Sequence, residues 1–234
     1  MKCIAITLGA GLALAASAQG ATTLISLTYA DLSGSYQSTS ATTGNFTARA
    51  VDLPGVLRSS GDVSRLEGAP GVADFQPGFV SGPDLSDFVM NLSVNHNASN
   101  GTGAGSFTAT DADGDTITGN LTGTWSISDT YIAFVGTLSN VFIHDNGTLD
   151  HTFNGSNTGS WDTNFNAAAP YNGAIVKLTE NISNFFSTDF TNAATGLTAQ
   201  ITTFTVPTPA GGTAGCCMLG ALLGARVFRR RRTA

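Results

Sequence analysis

The 234-residue chain is 41% hydrophobic and only 11% charged, with a formal net charge of −6 at neutral pH. That total conceals a division: every acidic residue lies between Asp31 and Asp189, whereas Arg49, Arg58, Arg65 and Lys177 are the basic residues of the stretch 19–205, which therefore carries a formal −12. Such a surface repels nucleic acid and anionic membranes, and since Cys3, Cys216 and Cys217 all lie outside that stretch, a disulfide framework is excluded too.

The chain begins with Lys2, an apolar run over residues 4–16 and the small-x-small triplet Ala16-Ser17-Ala18. These are the parts of a secretory signal peptide, so residues 1–18 are expected to export the chain, with cleavage after Ala18. Residues 19–205 then form one β-rich extracytoplasmic domain, rich in Thr, Ser, Asn and Gly and poor in helix formers. A domain of this length buries enough apolar surface to stand without covalent staples.

A first strand is expected over residues 22–29, ending at Asp31-Leu32-Ser33-Gly34, and a second over 45–51. From 52 to 83 the prolines Pro54, Pro70, Pro77 and Pro83, with six glycines, exclude a long helix or strand and predict a long Pro/Gly loop packed over the sheet. Strict alternation returns at Phe88, Met90, Leu92 and Val94, the buried face of a strand. Residues 107–110 and 115–118 flank Asp111-Ala112-Asp113-Gly114, a hairpin in which Gly114 supplies the positive φ. Ile117, Leu121, Trp125 and Ile127 continue the period. Residues 131–138 and 141–143 read as two strands, the former apolar on both faces at 132–135 and so central to the core. Short strands follow at 149–153, 160–165 and 174–179. Phe185, Phe186 and Phe190 fit helix or strand equally, and 197–206 is the last strand. About ten short strands separated by turns predict an antiparallel β-sandwich or a barrel-like pair of sheets.

The tail, 206–234, has a different character. Val206-Pro207-Thr208-Pro209 precedes a small and apolar segment, 210–228, and then Arg229, Arg230, Arg231 and Arg232. As a helix the segment would span about 28 Å, a minimal hydrocarbon crossing, with its arginines held on the cytoplasmic side. This order of motif, greasy helix and basic stop resembles the PEP-CTERM sorting signal. The resemblance covers the tail alone and implies transient insertion in the inner membrane and cutting near the Pro motif by an exosortase-type protease. A tail that is never cut and serves as an ordinary anchor is the alternative.

Chemistry within the domain is sparse. Asp111, Asp113 and Asp115 alternate around Gly114 like the opening of a calcium loop, but Thr116 and Thr122 stand where the helix-loop-helix motif needs Gly and Glu. They are therefore candidate ligands for a weak calcium site or simply an acidic hairpin tip; no other cofactor is implied. His144-Asp145 and Asp150-His151 could meet across a hairpin. Trp125 shares the parity of core residues, while Trp161, between Ser160 and Asp162, is the candidate for an exposed sugar-stacking ring. Glu67 and Glu180 sit in settings that suggest no glycosidase pair, and no nucleophile motif occurs, so no catalytic residue is assigned. The sequence thus reads as a non-enzymatic exported surface or extracellular-matrix protein, or alternatively a polysaccharide-binding or adhesive module assisted by calcium.

Overall fold

The computed structural model describes residues 22–203 except 77, 82–83, 98–99, 128–131, 147–148 and 181–187. The signal-peptide residues Ala16 and Ala18, the motif from Val206 to Pro209, Arg229 to Arg232, and Phe185 and Phe186 lie outside the described residues.

Every regular element among the described residues is a strand. In chain order these are β1 (Thr23–Ser38), β2 (Thr43–Arg49), β3 (Asp52–Leu53), β4 (Leu57–Arg58), β5 (Ser60–Arg65), β6 (Gly71–Phe75), β7 (Val80–Ser81), β8 (Asp84–Leu85), β9 (Asp87–His96), β10 (Asn100–Thr110), β11 (Thr116–Ile127), β12 (Ile132–His144), β13 (Thr152–Asn154), β14 (Ser160–Asp162), β15 (Tyr171–Glu180) and β16 (Phe190–Thr202). The main sheet runs β16-β15-β12-β11-β10-β9-β2-β1, all antiparallel, and β16 pairs again with β1. Eight strands therefore close into a ring. Of the two arrangements expected, the pairing gives the barrel-like one, and closure leaves these eight strands no free edge.

Three of the bulges in the ring fall at Asp or Asn residues of positive φ. In β1 the inward side chains are Ile25, Leu27 and Tyr29, then Leu32 and Tyr36, so one extra residue enters where Asp31 takes φ 53°. The same edge of β1 pairs with β5 before the bulge (Ile25–Ala30) and with β2 after it (Ser33–Ser38). What the sequence marks as a strand end is this change of partner within one continuous strand. Likewise 131–138 and 141–143 are one strand, β12, bulged where Asn140 has φ 51°. In β16 the corresponding residue is Asn192, at φ 57°. Asp and Asn tolerate left-handed backbone better than other side chains, which fits them to these bends.

The interior is filled by large rings. Trp125, 1% exposed, meets Phe46 edge-on at 5.2 Å and Phe134 at 4.9 Å. Room for them comes from Gly103 and Gly123, where an added Cβ would lie 2.9 Å from the Trp125 indole nitrogen and 2.6 Å from the Phe134 ring. Pairing of large with small inward positions is how a narrow barrel packs. Ile132, Ala133 and Phe134 are buried as expected, but Val135 is 53% exposed. An apolar run on a barrel strand still alternates, so its fourth member points outward.

The stretch expected as a loop, 52–83, holds five short strands among its described residues, of which β5 and β6 join the main sheet beside β1. The small hairpin β13-β14 lies against β6 and is bridged to it at Asp74 and Thr158. Here the reading of Trp161 is corrected. It is 3% exposed, donates its indole N–H to the Val63 carbonyl at 2.9 Å and stacks on Phe153 at 5.0 Å. Its polar neighbours Ser160 and Asp162 point outward because they alternate with it; polar flanks on a strand mark an inward ring. Arg65, also buried, covers Phe165 at 4.5 Å and bonds the Glu67 and Asp162 carbonyls.

Trp125→Ala is expected to cost about 3–5 kcal/mol, the usual range for removing a buried indole, measured by denaturant unfolding. Trp161→Phe should cost less, because it keeps most of the ring contact and loses the bond to Val63.

Candidate functional site

At one end of the barrel the β10-β11 hairpin turns through residues 111–115. Asp111, fully buried, organises the turn: its Oδ1 accepts the backbone N–H groups of Asp113 (3.1 Å), Gly114 (2.9 Å) and Asp115 (2.8 Å). Its Oδ2 accepts the Asn154 N–H at 2.7 Å, tying the tip to β13. Gly114 takes φ 104°, as the hairpin reading requires. Asp113 Oδ2 accepts the Asn154 side-chain N–H at 3.1 Å, and Asp115 Oδ1, on a fully buried residue, accepts the Asn146 N–H at 2.7 Å.

The loop after β12 brings more acid to the same place. Carboxylate oxygens of Asp111, Asp113 and Asp115 lie within 4.8 Å of one another, and so do those of Asp115, Asp145 and Asp150. Asp115 belongs to both groups, so five carboxylates converge. Asp145 Oδ1 is buried and finds no hydrogen-bond donor among the described residues, while its Oδ2 lies 2.6 Å from His151 Nδ1. Of the His-Asp doublets noted in the sequence, the structure joins Asp145 and Asp150 to the acidic group and sets His151 at its exposed rim. His144 instead faces outward, 3.3 Å from the Thr118 hydroxyl and stacked on Phe142. His96 is remote, bonded to the Tyr36 hydroxyl at 3.0 Å. Asn146 and Asn154 were not legible as site residues, since asparagines in turns are commonplace here.

Burial, and next the hydrogen-bonded Asp113 carboxyl, push Asp111 up to about 7. The arrangement offers only hard oxygen ligands, the donor set that Ca²⁺ prefers. Asp111 spends both oxygens on backbone N–H groups, so Asp113, Asp115, Asp145 and Asp150 are the residues placed to hold an ion. A carboxylate whose lone pairs are taken up by turn amides is also poorly suited to act as a general base.

The outer face of the barrel differs sharply from this end. Across β2, β9, β10, β11 and β12 three rows of side chains lie opposite one another: Thr47-Asn91-Ser106-Asn120-Ser139, Asn45-Ser93-Ala104-Thr122-Thr137 and Thr43-Asn95-Thr102-Thr124-Val135. Every member but Ala104 and Val135 carries a hydroxyl or carboxamide, and none is ionisable. A barrel that crossed a bilayer would present an apolar band here. Between the rows lies a shallow groove of about 650 Å³, lined by residues including Asn45, Ser93, Thr102 and Thr122. Set against protein-family models, curated proteins and solved structures, the chain matches none.

Because the Asp111 pKa is raised above its unfolded value of 3.8, its contribution to stability is fully present below about pH 3.8 and lost as pH rises through about 7. In chelator-containing buffer the protein should therefore melt lower at pH 8 than at pH 5. Asp111→Asn should flatten that dependence without abolishing it, since burial raises Asp62 and Asp87 in the same direction. Equal slopes in the two proteins would show that Asp111 titrates normally.

Proposed function

We propose that the chain is a non-catalytic exported protein of the cell surface or extracellular matrix, delivered by residues 1–18 and sorted through its PEP-CTERM-like tail by an exosortase-type protease at the inner membrane. The observation that carries this reading is the order of the sequence itself: a signal-peptide pattern, a cysteine-free acidic β-domain, then Val206-Pro207-Thr208-Pro209, an apolar segment and Arg229 to Arg232. A closed barrel suits such a role. It has no free edge among its eight strands to recruit other chains, and it needs no oxidative folding machinery. The acidic surface disfavours nucleic acid as a partner.

Intact-mass analysis of the protein recovered from its host is the test. The expected species begins at Gln19 and ends near Pro209. A species retaining 206–234 would replace release with permanent anchoring, and one retaining both ends within the cytoplasm would end the proposal.

A second reading, a polysaccharide-binding or adhesive module assisted by calcium, is favoured by the convergence of five carboxylates at the β10-β11 end. A cation there would offset their mutual repulsion and supply Asp145 Oδ1 with a partner. For a site with a dissociation constant of about 1 mM, typical of extracellular modules, 10 mM calcium stabilises by about 1.4 kcal/mol. That corresponds to a rise in Tm of about 3–6 °C for a domain of this size. Asp115→Asn and Asp145→Asn should each abolish the rise, whereas magnesium, which tolerates crowded carboxylates less well, should give a smaller one. Indifference of the wild-type Tm to calcium would remove this reading.

A further inference from the structure

We propose that the outer face of β2, β9, β10 and β11 binds a neutral polysaccharide chain, laid across the strands along the row Asn45-Ser93-Ala104-Thr122. This deepens the surface-protein reading and rests on it for the supply of polymer, but its geometry stands apart from how the tail is processed.

Shape comes first. Ala104 is the smallest side chain of its row and stands between Ser93 and Thr122, so the face dips there into the 650 Å³ groove. Asn95 and Thr102, one row over, form a wall of the groove. With neighbouring strands about 4.8 Å apart, four strands make a trough about 15 Å long, the reach of an oligosaccharide rather than a single sugar. A closed barrel holds this row on paired backbone throughout, so the face needs little ordering on binding.

Chemistry then selects the occupant. The groove sets the hydroxyls and carboxamides of residues such as Asn45, Ser93, Thr102 and Thr122, each able both to donate and to accept, in a largely apolar lining to which Ala104 and three glycines contribute, and a sugar presents both hydroxyls and C–H faces in return. None of its lining residues is ionisable, although the surrounding domain carries a formal −12. An anionic polymer would meet a repulsive field with no Arg or Lys to offset it. A cationic one would be drawn to the acidic end rather than to this face. An apolar partner would strand the exposed hydroxyls and amides without hydrogen bonds, a cost that grows with each group covered. A neutral, polyhydroxylated chain avoids all three penalties. Ser93 and Thr122, flanking the dip, are positioned for its central unit.

The test is affinity electrophoresis of the full chain, purified in mild detergent, through native gels containing dextran, a soluble β-glucan or galactomannan, with alginate as the anionic counterpart. Retardation by at least one of the neutral polymers and none by alginate is expected. Ala104→Arg, which fills the dip with a long charged side chain, should raise the polymer concentration for half-retardation by at least about tenfold. Thr122→Val, nearly isosteric and lacking the hydroxyl, should give a smaller loss. Circular dichroism checks that both are folded; should Ala104→Arg not fold, Thr122→Val and Ser93→Ala decide. Absence of retardation by all three neutral polymers, stronger retardation by alginate, or wild-type behaviour of the folded variants would overturn the proposal. So would a dimer, abolished by Ala104→Arg, in place of retardation. Protein recovered from its host with residues 206–234 still attached, yet retarded, would replace release with anchoring and leave this proposal standing.

Discussion

The pairing of β1 with β16 is the constraint on which the molecule depends. The first and last strands of the domain run side by side from Thr23 to Tyr36, so the chain cannot complete its sheet until its last strand is in place. On its opposite edge β1 serves two partners in succession, and the bulge at Asp31 makes that possible by resetting which residues face inward. Ser59, fully buried, pins the bend: its hydroxyl donates to the Asp31 carbonyl at 2.8 Å and accepts the Val51 N–H at 2.9 Å. Closure by hydrogen bonds joins the two ends of the domain in the folded state alone, whereas a disulfide would also restrain the unfolded chain.

A closed ring divides every strand into an inside and an outside, and the two sides of this barrel are put to different uses. Inside, aromatic rings fill the space that glycines on β10 and β11 leave open. Outside, the same strands carry Thr, Ser and Asn, small enough to leave the face nearly level and uncharged. Acids are displaced to the ends and to the side unit built from β5, β6, β13 and β14. Chemical character is therefore separated by position: neutral hydrogen-bonding groups on the wall, carboxylates at the rim.

The acidic end joins folding to ion chemistry through one residue. Asp111 folds the hairpin by accepting three turn amides and fastens β13 through a fourth, which requires its burial. That burial, beside Asp113, is what makes its charge costly. The tip is thus well built as a turn and strained as a set of charges, a tension that protons or a cation relieve. Asp115 and Asp145 extend the same logic across to the loop after β12.

Periodicity alone determined the all-β class, the inward faces of β9 and of Trp125, and the turn at Gly114, because alternation and turn chemistry are local properties that survive any choice of partner. Residues 1–18 and 206–234 carry the patterns on which the proposed export and sorting rest, and both lie outside the described residues. Tertiary structure decided the rest. Closure follows from a pairing between strands at opposite ends of the domain, which no local pattern encodes. The continuity of β1 and β12 was hidden because a bulge and a strand end look alike when both are marked by Asp or Asn. Trp161 read as exposed for want of knowing that β6 lies over it, and Asp145 and Asp150 joined Asp115 only because antiparallel register sets Thr116 beside His144. Local rules fix which way a side chain points; what it then meets depends on parts of the chain far away in sequence.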